Sequence, residues 1–568
     1  MLPGIQPPRP LREDSTIPLS ATHSKAAENA YIQERLKALE FELRKRVAER
    51  SALLWEINES TSPGGRLLPS EVLSLIFQYA CLPIDFARRK LNSAPRDAEY
   101  SAVIVTPSQD MSNAEVNGPY VPIRLASVSL YWRRIACATS QIWTTIVIEV
   151  RERTAKSHAS LLRLYLQNTG VHPFGVELDF RREQKHHWTL LENFPPPKST
   201  LVDALQPIAN VLFNPENAAK ITTLRLIAPP HEWLAPMSRL FSSLEELSLG
   251  WPFQFCAKPP SDLDGLTIDD ASFPTLQRLQ IYNLPQFTCD TLTHLTRIDL
   301  TYLPLPMCLD TLVQCPFLEE CHIHFPNNGQ SNRIVSSELI VLERLEYLDW
   351  ACNEWGAAAV AMQRIRAPAL RRLRWDDNVD DPRTRATLVN FLSHAPTQIT
   401  ILHLNERTGA SKPENWTTIF HSIPQIRDLV LEQQIYISNI IPIIRALTPG
   451  LGGASSLASM LPALRLLYFV FTGLSITRVD SFGLLDDLLT MVMSRQEEDR
   501  DAKLRIEFDT DFIWPEDKDA LTGDMISAMV HGKLELDMWE NGKPARWVEL
   551  MKREAQETVA QSSRGRNR

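Results

Sequence analysis

The sequence predicts an α/β protein in which helices come first and a long array of strand-containing repeats follows. Residues 27–59 contain neither proline nor glycine, and their apolar residues recur mostly at spacings of three and four, which indicates a helix. The pattern apolar-x-x-apolar-x-apolar then recurs ten times between Ile221 and Phe469, which indicates the array. We therefore expect an N-terminal helix, a small helical module and a repeat array.

Composition excludes several classes of function. Of the 568 residues, 44% are hydrophobic and 22% are charged, so the chain can bury a core without help from disulfides or metal. Lys and Arg number 59 against 68 Asp and Glu, a net charge of −9. That balance argues against a nucleic-acid binder, which usually carries a basic face.

The first residues and the cysteines predict an intracellular protein. Residues 1–26 hold no apolar stretch of the kind that a signal peptide needs. No uninterrupted apolar run reaches the length of roughly 18 residues that indicates a membrane span. The eight cysteines form no CxxC pair, which favours buried thiols in a reducing compartment. We expect a cytoplasmic and/or nuclear location and no contact with a membrane.

The N-terminal segment divides into two parts. Residues 1–26 are rich in proline and are predicted to be disordered. Residues 27–60 are predicted to form an amphipathic or coiled-coil helix, which pairs with another chain, docks on a partner or lies on the next domain. The apolar stripe, with Arg50 in the gap before Leu54, consists of Ile32, Leu36, Leu39, Leu43, Val47, Leu54 and Ile57.

Residues 61–145 are predicted to form a helical module with an insertion. Thr61–Gly65 ends the first helix, and Pro69 begins a second one that carries apolar residues at helical spacing up to Phe77. Residues 82–121 are mostly polar and proline-containing, which predicts a flexible insertion. A further helical segment covers 123–143.

Two segments of this module resemble an F-box. Residues 68–77 read Leu-Pro-Ser-Glu-Val-Leu-Ser-Leu-Ile-Phe, and 125–143 contain Leu-Ala-x-Val-Ser-x-x-Trp-Arg-Arg-Ile-Ala-x-x-Thr-x-x-Ile-Trp. The pairing is similar to the F-box-like proteins that are abundant in mushroom-forming fungi. Ser140 stands where that family commonly has proline and Ile142 where it commonly has leucine. The insertion at 82–121 is a larger departure.

The resemblance implies a substrate receptor rather than an enzyme. F-boxes are three-helix modules that bind a small adaptor and, through it, the cullin of an SCF-type ubiquitin ligase. The helical pattern does not separate residues of the adaptor interface from those of its supporting core. By motif position, the residues in one role or the other are Leu68, Pro69, Val72, Leu73, Ile76, Phe77, Trp132, Ile135 and Trp143.

The repeats predict an irregular leucine-rich-repeat solenoid over residues 146–545. Successive motifs begin 19 to 38 residues apart, around the 20–29 residues typical of that repeat. Five of them are preceded by proline two residues before the first apolar position, where proline would end a helix and extend the chain into a strand. Val176–Phe180 and Lys533–Trp539 are candidate first and last strands. Residues 546–568 are predicted to be a helix end and a basic disordered tail.

Polar residues that alternate with the buried positions are predicted to share one face of the array. That face either binds a substrate protein or is a solvated surface, since repeat arrays commonly present such faces to partners. The candidate substrate-binding residues are Arg278, Tyr282, Arg297, Asp299, Glu320, His322, Tyr347, Asp349, Arg372, Arg374 and His403.

The sequence contains no motif that indicates catalysis or a cofactor. P-loop, dinucleotide-binding, zincin and nucleophile-elbow patterns are absent from it. Cys315, Cys321, His322 and His324 are close in sequence, but cysteine and histidines alternate along one strand and so point to opposite faces. We therefore predict no metal site and no enzyme. The expected partners are the adaptor, the cullin behind it and an unknown substrate protein. The alternative is a non-ligase interaction scaffold with a coiled-coil partner.

Overall fold

The computed structural model describes two compact units. The first consists of residues 1–81 with 120–139, and the second of 82–119 with 140–568. The structure describes residues 19–61, 68–81, 120–181, 198–251, 266–284, 287–326, 339–352, 357–377, 381–394, 398–406, 412–433, 440–448, 460–471, 487–488, 490–495, 504–508, 537–540 and 543–544. Disorder was predicted for 1–26, and of this segment 1–18 lie outside these residues whereas 19–26 are helical. Most of the insertion and the tail at 546–568 also lie outside these residues.

The first unit begins with a long exposed helix. α1 spans Leu19–Thr61, so it starts directly after Pro18 and eight residues before the predicted start. Residues 19–27 contain no proline or glycine, so the helix can extend back to Leu19. It begins after Pro18 because proline is tolerated only before a helix or in its first turn. Ile32, Leu36, Leu39, Leu43, Val47 and Ile57 of the predicted stripe are all exposed.

Three shorter helices complete the first unit, namely α2 (Ser70–Ala80), α3 (Val121–Val128) and α4 (Leu130–Ala138). The segment predicted as helical over 123–143 is therefore broken after Val128. Ser129 adopts an extended conformation, and its side chain accepts a hydrogen bond from the backbone N–H of Trp132. Such a cap satisfies a free donor in the first turn and so favours a new helix at this point.

The second unit contains a large, mostly parallel sheet, as the α/β prediction requires. Within the described residues its strands follow one another in chain order, and the last pair, Asp537–Glu540 with Lys543–Pro544, is antiparallel. The strands are β1 Thr145–Glu149, β2 Phe174–Asp179, β3 Ile221–Ile227, β4 Glu246–Gly250, β6 Arg278–Tyr282, β8 Arg297–Thr301, β9 Glu320–His324, β11 Tyr347–Ala351, β13 Arg372–Asp376, β14 Ile401–Glu406, β15 Asp428–Gln433, β16 Leu466–Phe471, β17 Arg505–Phe508, β18 Asp537–Glu540 and β19 Lys543–Pro544.

Helices and two small sheets lie between these strands in the chain. β5 (Leu266–Ile268) pairs with β7 (Phe287–Cys289), and β10 (Ile340–Val341) pairs with β12 (Ile365–Arg366). The helices are α5 Ala155–Asn168, α6 Lys198–Leu212, α7 Pro215–Ala218, α8 Leu234–Met237, α9 Leu305–Val313, α10 Ala357–Arg364, α11 Pro382–His394, α12 Pro413–His421 and α13 Ile440–Leu447.

All ten repeat motifs fall on strands, so the predicted strands are confirmed. The last two apolar residues of each motif are buried and face their counterparts on the next strand. Leu247, for example, lies opposite Leu279, and Leu249 opposite Ile281. Rows made mostly of leucine and isoleucine, with Trp350, Trp375 and Phe469 among them, thus run across the sheet and form the core of this unit. Burying such side chains removes apolar surface from water.

The prolines that precede five of the repeat motifs lie in turns, which the sequence pattern did not predict. These prolines are Pro274, Pro316, Pro368, Pro424 and Pro462. Before each of them a buried residue accepts a hydrogen bond from the backbone N–H three residues later, as from Leu276 to Phe273 across Pro274. Proline is therefore the second residue of a β-turn, where its fixed φ is already suitable. The same turn precedes β4 and β11 without proline, from Phe241 and Leu342. The repeat is thus a turn followed by a strand.

The strand ends carry a second repeated feature. Ala228, Asn283, Tyr302 and Phe325 each follow a strand directly and have φ between 52° and 55°, a left-handed conformation that costs most residues about 1–2 kcal/mol. Each backbone N–H donates to the last carbonyl of the next strand, at 2.6–2.9 Å. These hydrogen bonds extend the pairing by one residue beyond each strand.

The cysteines are free thiols where the structure describes them. Cys308, Cys315, Cys321 and Cys352 are buried, in agreement with the prediction of buried thiols. That prediction is wrong for Cys137, which is exposed on α4.

Candidate functional site

The helix α2 has two different faces. Leu73 and Phe77 are buried, with 2% and 0% of their surface exposed, whereas Val72 and Ile76 are 39% and 44% exposed. Leu68, which precedes the helix, is exposed as well. Because neighbouring residues on a helix point about 100° apart, the apolar pattern separates into a core side and a surface side.

The surface side is larger than the family motif indicates. Leu75 and Tyr79 are also exposed, three and seven residues after Val72, and Pro69 is exposed at the start of the helix. Helical spacing alone would have found Leu75 and Tyr79, because both share the side of Val72. We name these exposed residues the α2 apolar face, which consists of Leu68, Val72, Leu75, Ile76 and Tyr79.

The core side holds α2 against α4. The ring of Phe77 lies 5.0 Å from that of the half-buried Trp132, tilted by 53°, and Ile135 is buried. The hydroxyls of Ser74 and Thr139 lie 2.8 Å apart. Such tilted aromatic pairs add stability beyond their buried area. Phe77, Trp132 and Ile135 therefore position the helix, while the α2 apolar face remains exposed.

Trp143 lies in the second unit rather than with the other motif residues. It ends the 3₁₀-helix Ser140–Trp143 and is buried edge-on against Tyr165 of α5, with ring centroids 4.9 Å apart. Its packing therefore supports the beginning of the sheet unit.

Nine adjacent strands of the sheet, from β2 to β14, place a polar side chain at the same register position. Parallel pairing sets each of these residues directly opposite the next. The central polar row, as it is called below, consists of Glu177, Arg225, Ser248, Gln280, Asp299, His322, Asp349, Arg374 and His403. Buried polar groups of this kind need partners, because desolvation without hydrogen bonds or opposite charges is costly.

Hydrogen bonds and ion pairs run along the first half of the row. Nε of Arg225 lies 3.6 Å from Oε2 of Glu177, and both side chains are almost fully buried. The Ser248 hydroxyl donates to Oε1 of Gln280 at 2.9 Å, and Nε2 of Gln280 donates to Oδ2 of Asp299 at 3.0 Å. Neighbouring strands are thus joined by side chains as well as by their backbones.

Asp349 is the centre of the second half of the row. Its Oδ2 lies 3.2 Å from Nδ1 of His322, 3.1 Å from Nε2 of His324 and 3.4 Å from Nη1 of Arg374. Asp349 is 2% exposed and His322 is 8% exposed. A buried carboxylate therefore has three nitrogen-bearing side chains around one oxygen.

Burial and charge act in opposite directions on the titration of this cluster. Burial lowers the pKa of His322, but the carboxylates of Asp349 and Glu320 outweigh it and raise the pKa to about 9. Burial raises the pKa of Asp349, but the two imidazoles and Arg374 hold it well below its ordinary range. Asp349 is consequently ionised at neutral pH.

Glu432 of β15 continues the network beyond the row. Its Oε2 lies 2.6 Å from Nη2 of Arg374 and 2.9 Å from Nε2 of His403. Burial raises the pKa of Glu432, but His403 and Arg374 lower it by more than burial raises it. The pKa of Glu432 therefore lies below its ordinary value.

A second row runs beside the central one and is more exposed. Arg278, Arg297, Glu320, Tyr347 and Arg372 lie opposite one another in register. Arg278 and Arg372 are exposed, whereas the other three are half-buried. Arg297 and Glu320 form an ion pair at 2.9 Å.

Tyr282 ends β6 outside both rows, where its ring meets Tyr302 edge-on at 5.3 Å. The other predicted face residues belong to one of the two rows, so register brings them together on one face. The face presents carboxylates, imidazoles and guanidinium groups and suits the recognition of a polar, charged partner.

No protein-family model matches the chain, and no curated protein matches it. Among the described helices, none combines the length and the apolar character that crossing a membrane requires.

Proposed function

We propose that this chain is the substrate-recognition subunit of a cullin-RING ubiquitin ligase of the SCF type. The first unit acts as the F-box that binds the adaptor, and the adaptor links the chain to the cullin. The observation that carries the proposal is the exposed α2 apolar face on the segment with the F-box-like motif. Clustered exposed apolar side chains on one helix mark a surface that a partner covers.

The packing beneath this face favours binding. Leu73 and Phe77 anchor α2 in the core of the first unit, so Val72 and Ile76 are held in place before the adaptor arrives. A preorganised surface loses less side-chain and backbone entropy on association, which leaves more of the contact energy as affinity.

The second unit is proposed to be an irregular leucine-rich-repeat array that holds the substrate. The order of its parallel strands, the repeated turn before the strands and the buried leucine rows support this assignment. The substrate would contact the row from Arg278 to Arg372, because that row exposes charged groups of both signs. The contribution to catalysis would be proximity, which raises the local concentration of substrate near the ubiquitin-loaded enzyme.

Changing Ile76 to glutamate is expected to abolish recovery of the adaptor and the cullin with the tagged full chain. Ile76 is 44% exposed, so a charge is tolerated in the free protein but is desolvated in the complex. Loss of an interface anchor costs about 2 kcal/mol or more of binding free energy. The measurement is affinity purification read by mass spectrometry.

The matched control is Val171→Glu, which adds the same charge at a fully solvated apolar residue of the second unit. It should retain the adaptor. Equal adaptor recovery with Ile76→Glu and the parent chain would contradict the proposed interface.

Reversing the charge of Arg372 is expected to remove bound substrate while the adaptor is retained. Arg372→Glu alters an exposed position of the second row, and Arg371→Glu is the control at the adjacent exposed position, which points to the other side of the chain. The two purifications are compared by quantitative mass spectrometry. If Arg372→Glu and Arg371→Glu lose the same bound proteins, the row that contains Arg372 is not a specific substrate-binding surface.

A scaffold without ligase activity is the second candidate, and the exposed stripe of α1 favours it. Leu39 and Leu43 are 62% and 65% exposed, as expected of a helix that pairs with another coiled coil. In that case the parent chain brings down neither adaptor nor cullin, and Leu39→Glu removes the partner that it does bring down.

A further inference from the structure

Three side chains with metal-binding atoms converge on the polar face of the sheet. His322 and His324 lie on β9, and Asp349 lies opposite His322 on the neighbouring strand β11. One donor atom from each of the three falls within 4.8 Å of the others. We propose that His322, His324 and Asp349 bind one divalent transition-metal ion of the zinc class.

The spacing of the donor atoms suits a single ion. Oδ2 of Asp349 lies 3.2 Å from Nδ1 of His322 and 3.1 Å from Nε2 of His324. Ligand atoms bound at roughly 2.1 Å and at tetrahedral or right angles lie about 3.0–3.4 Å apart. Two of the three ligand separations already fall in that range.

The cluster also contains polar atoms that hydrogen bonds do not satisfy. Nε2 of His324 is 3.1 Å from the carboxylate, yet the geometry of a hydrogen bond is not met, and Oδ1 of Asp349 has no hydrogen-bond donor among the described residues. Asp349 is 2% exposed. Buried polar atoms without partners are rare because they lose solvation without compensation. A metal ion held by Oδ2 would satisfy Nε2 of His324, and binding through both carboxylate oxygens would satisfy Oδ1 as well.

The donor set selects the class of ion. Two imidazoles and one carboxylate are typical ligands of zinc and its neighbours, whereas calcium and magnesium prefer oxygen ligands alone. Cys321, which directly precedes His322, is fully buried and belongs to the opposite side of the strand. Three protein ligands leave a fourth position for water or for a donor atom of a partner.

The surrounding charges are compatible with a divalent ion. Among the described residues, the connected network holds the carboxylates of Asp299, Glu320, Asp349 and Glu432 against the guanidinium groups of Arg297 and Arg374. One divalent cation offsets the excess of these four carboxylates over the two guanidinium groups.

The test measures zinc bound to the purified full chain. The protein is stripped with a chelator, dialysed against zinc ions and analysed by elemental mass spectrometry and titration calorimetry. We expect about one ion per chain for the parent protein. His324→Ala should weaken zinc binding by more than the roughly 10–100-fold that loss of an outer-shell partner causes.

His403→Ala is the matched control. The side chains of His324 and His403 are each 23% exposed, and each lies within 3.1 Å of a carboxylate on the same network. His403→Ala should leave zinc binding unchanged, and far-UV circular dichroism checks that both variants fold. Zinc that is absent from the parent chain, or retained equally by His324→Ala, overturns the proposal.

Cobalt provides a second readout that does not depend on stability. Cobalt(II) in the parent protein is expected to give the intense visible absorption of a four-coordinate site with nitrogen and oxygen ligands, and His324→Ala should lose it. A spectrum that is the same in both proteins would place the ion elsewhere. Neither measurement depends on adaptor binding, so its outcome is independent of the proposed ligase function.

Discussion

Replacing Phe77 with alanine is expected to lower the free energy of unfolding of the first unit by about 3–5 kcal/mol. Phe77 has no exposed surface, and its ring centroid lies 5.0 Å from that of Trp132. The change therefore removes buried apolar area and an aromatic contact, and it leaves a cavity. Hydrogen exchange read by mass spectrometry at increasing urea concentration measures this unit separately, through peptides from α2 and α4.

The neighbouring residue supplies the control. Ile76→Ala should change the stability of the first unit by roughly 0.5–1 kcal/mol or less, because Ile76 is already 44% exposed. Similar losses for both variants would show that the division of α2 into a core side and a surface side is wrong. Adaptor binding should respond in a different way, since Phe77→Ala weakens it by unfolding the helix and Ile76→Glu weakens it directly.

Replacing Arg225 with leucine is expected to destabilise the second unit by about 3–5 kcal/mol. Arg225 and Glu177 face each other across β2 and β3 at 3.6 Å, and their side chains are 2% and 5% exposed. Removing the guanidinium takes away a positive charge 3.6 Å from the buried carboxylate of Glu177. Thermal unfolding and urea-dependent exchange of peptides from these two strands measure the loss.

Two controls identify the cause of that loss. The double variant Glu177→Leu with Arg225→Leu should recover most of the stability, because well-packed apolar residues commonly replace a buried ion pair at little cost. Arg371→Ala removes the exposed pair with Glu346 and should be nearly neutral. A double variant as unstable as Arg225→Leu would show that packing, and not the loss of the ion pair, is responsible.

Periodicity predicted the strands but not their neighbours. Every repeat motif marks a strand because alternation of apolar and polar residues is a local property of the chain. The contact between His322 and Asp349 joins residues 27 apart, and it depends on the register between β9 and β11. No pattern within either strand reveals that register, so periodicity alone does not identify Asp349 as a partner of the two histidines.

Adjacent residues were equally hard to separate from sequence. Ile76 and Phe77 are both apolar, and both belong to the same predicted stripe. In the folded chain Phe77 packs on Trp132 and is buried, whereas Ile76 is exposed. The break after Val128 was missed for a more local reason, because Ser129 is acceptable within a helix and becomes a cap only through its extended backbone.

The chain order of the large sheet bears on how the protein could have evolved. Each strand of the described parallel series pairs only with the strands that precede and follow it in the large sheet. A duplicated turn and strand can therefore be added between two others without rethreading the rest of the chain, because only nearest neighbours interact. The motif spacing of 19 to 38 residues agrees with such a history. Insertions and losses lengthen or shorten the connections, while the hydrogen-bonded register from one strand to the next is kept.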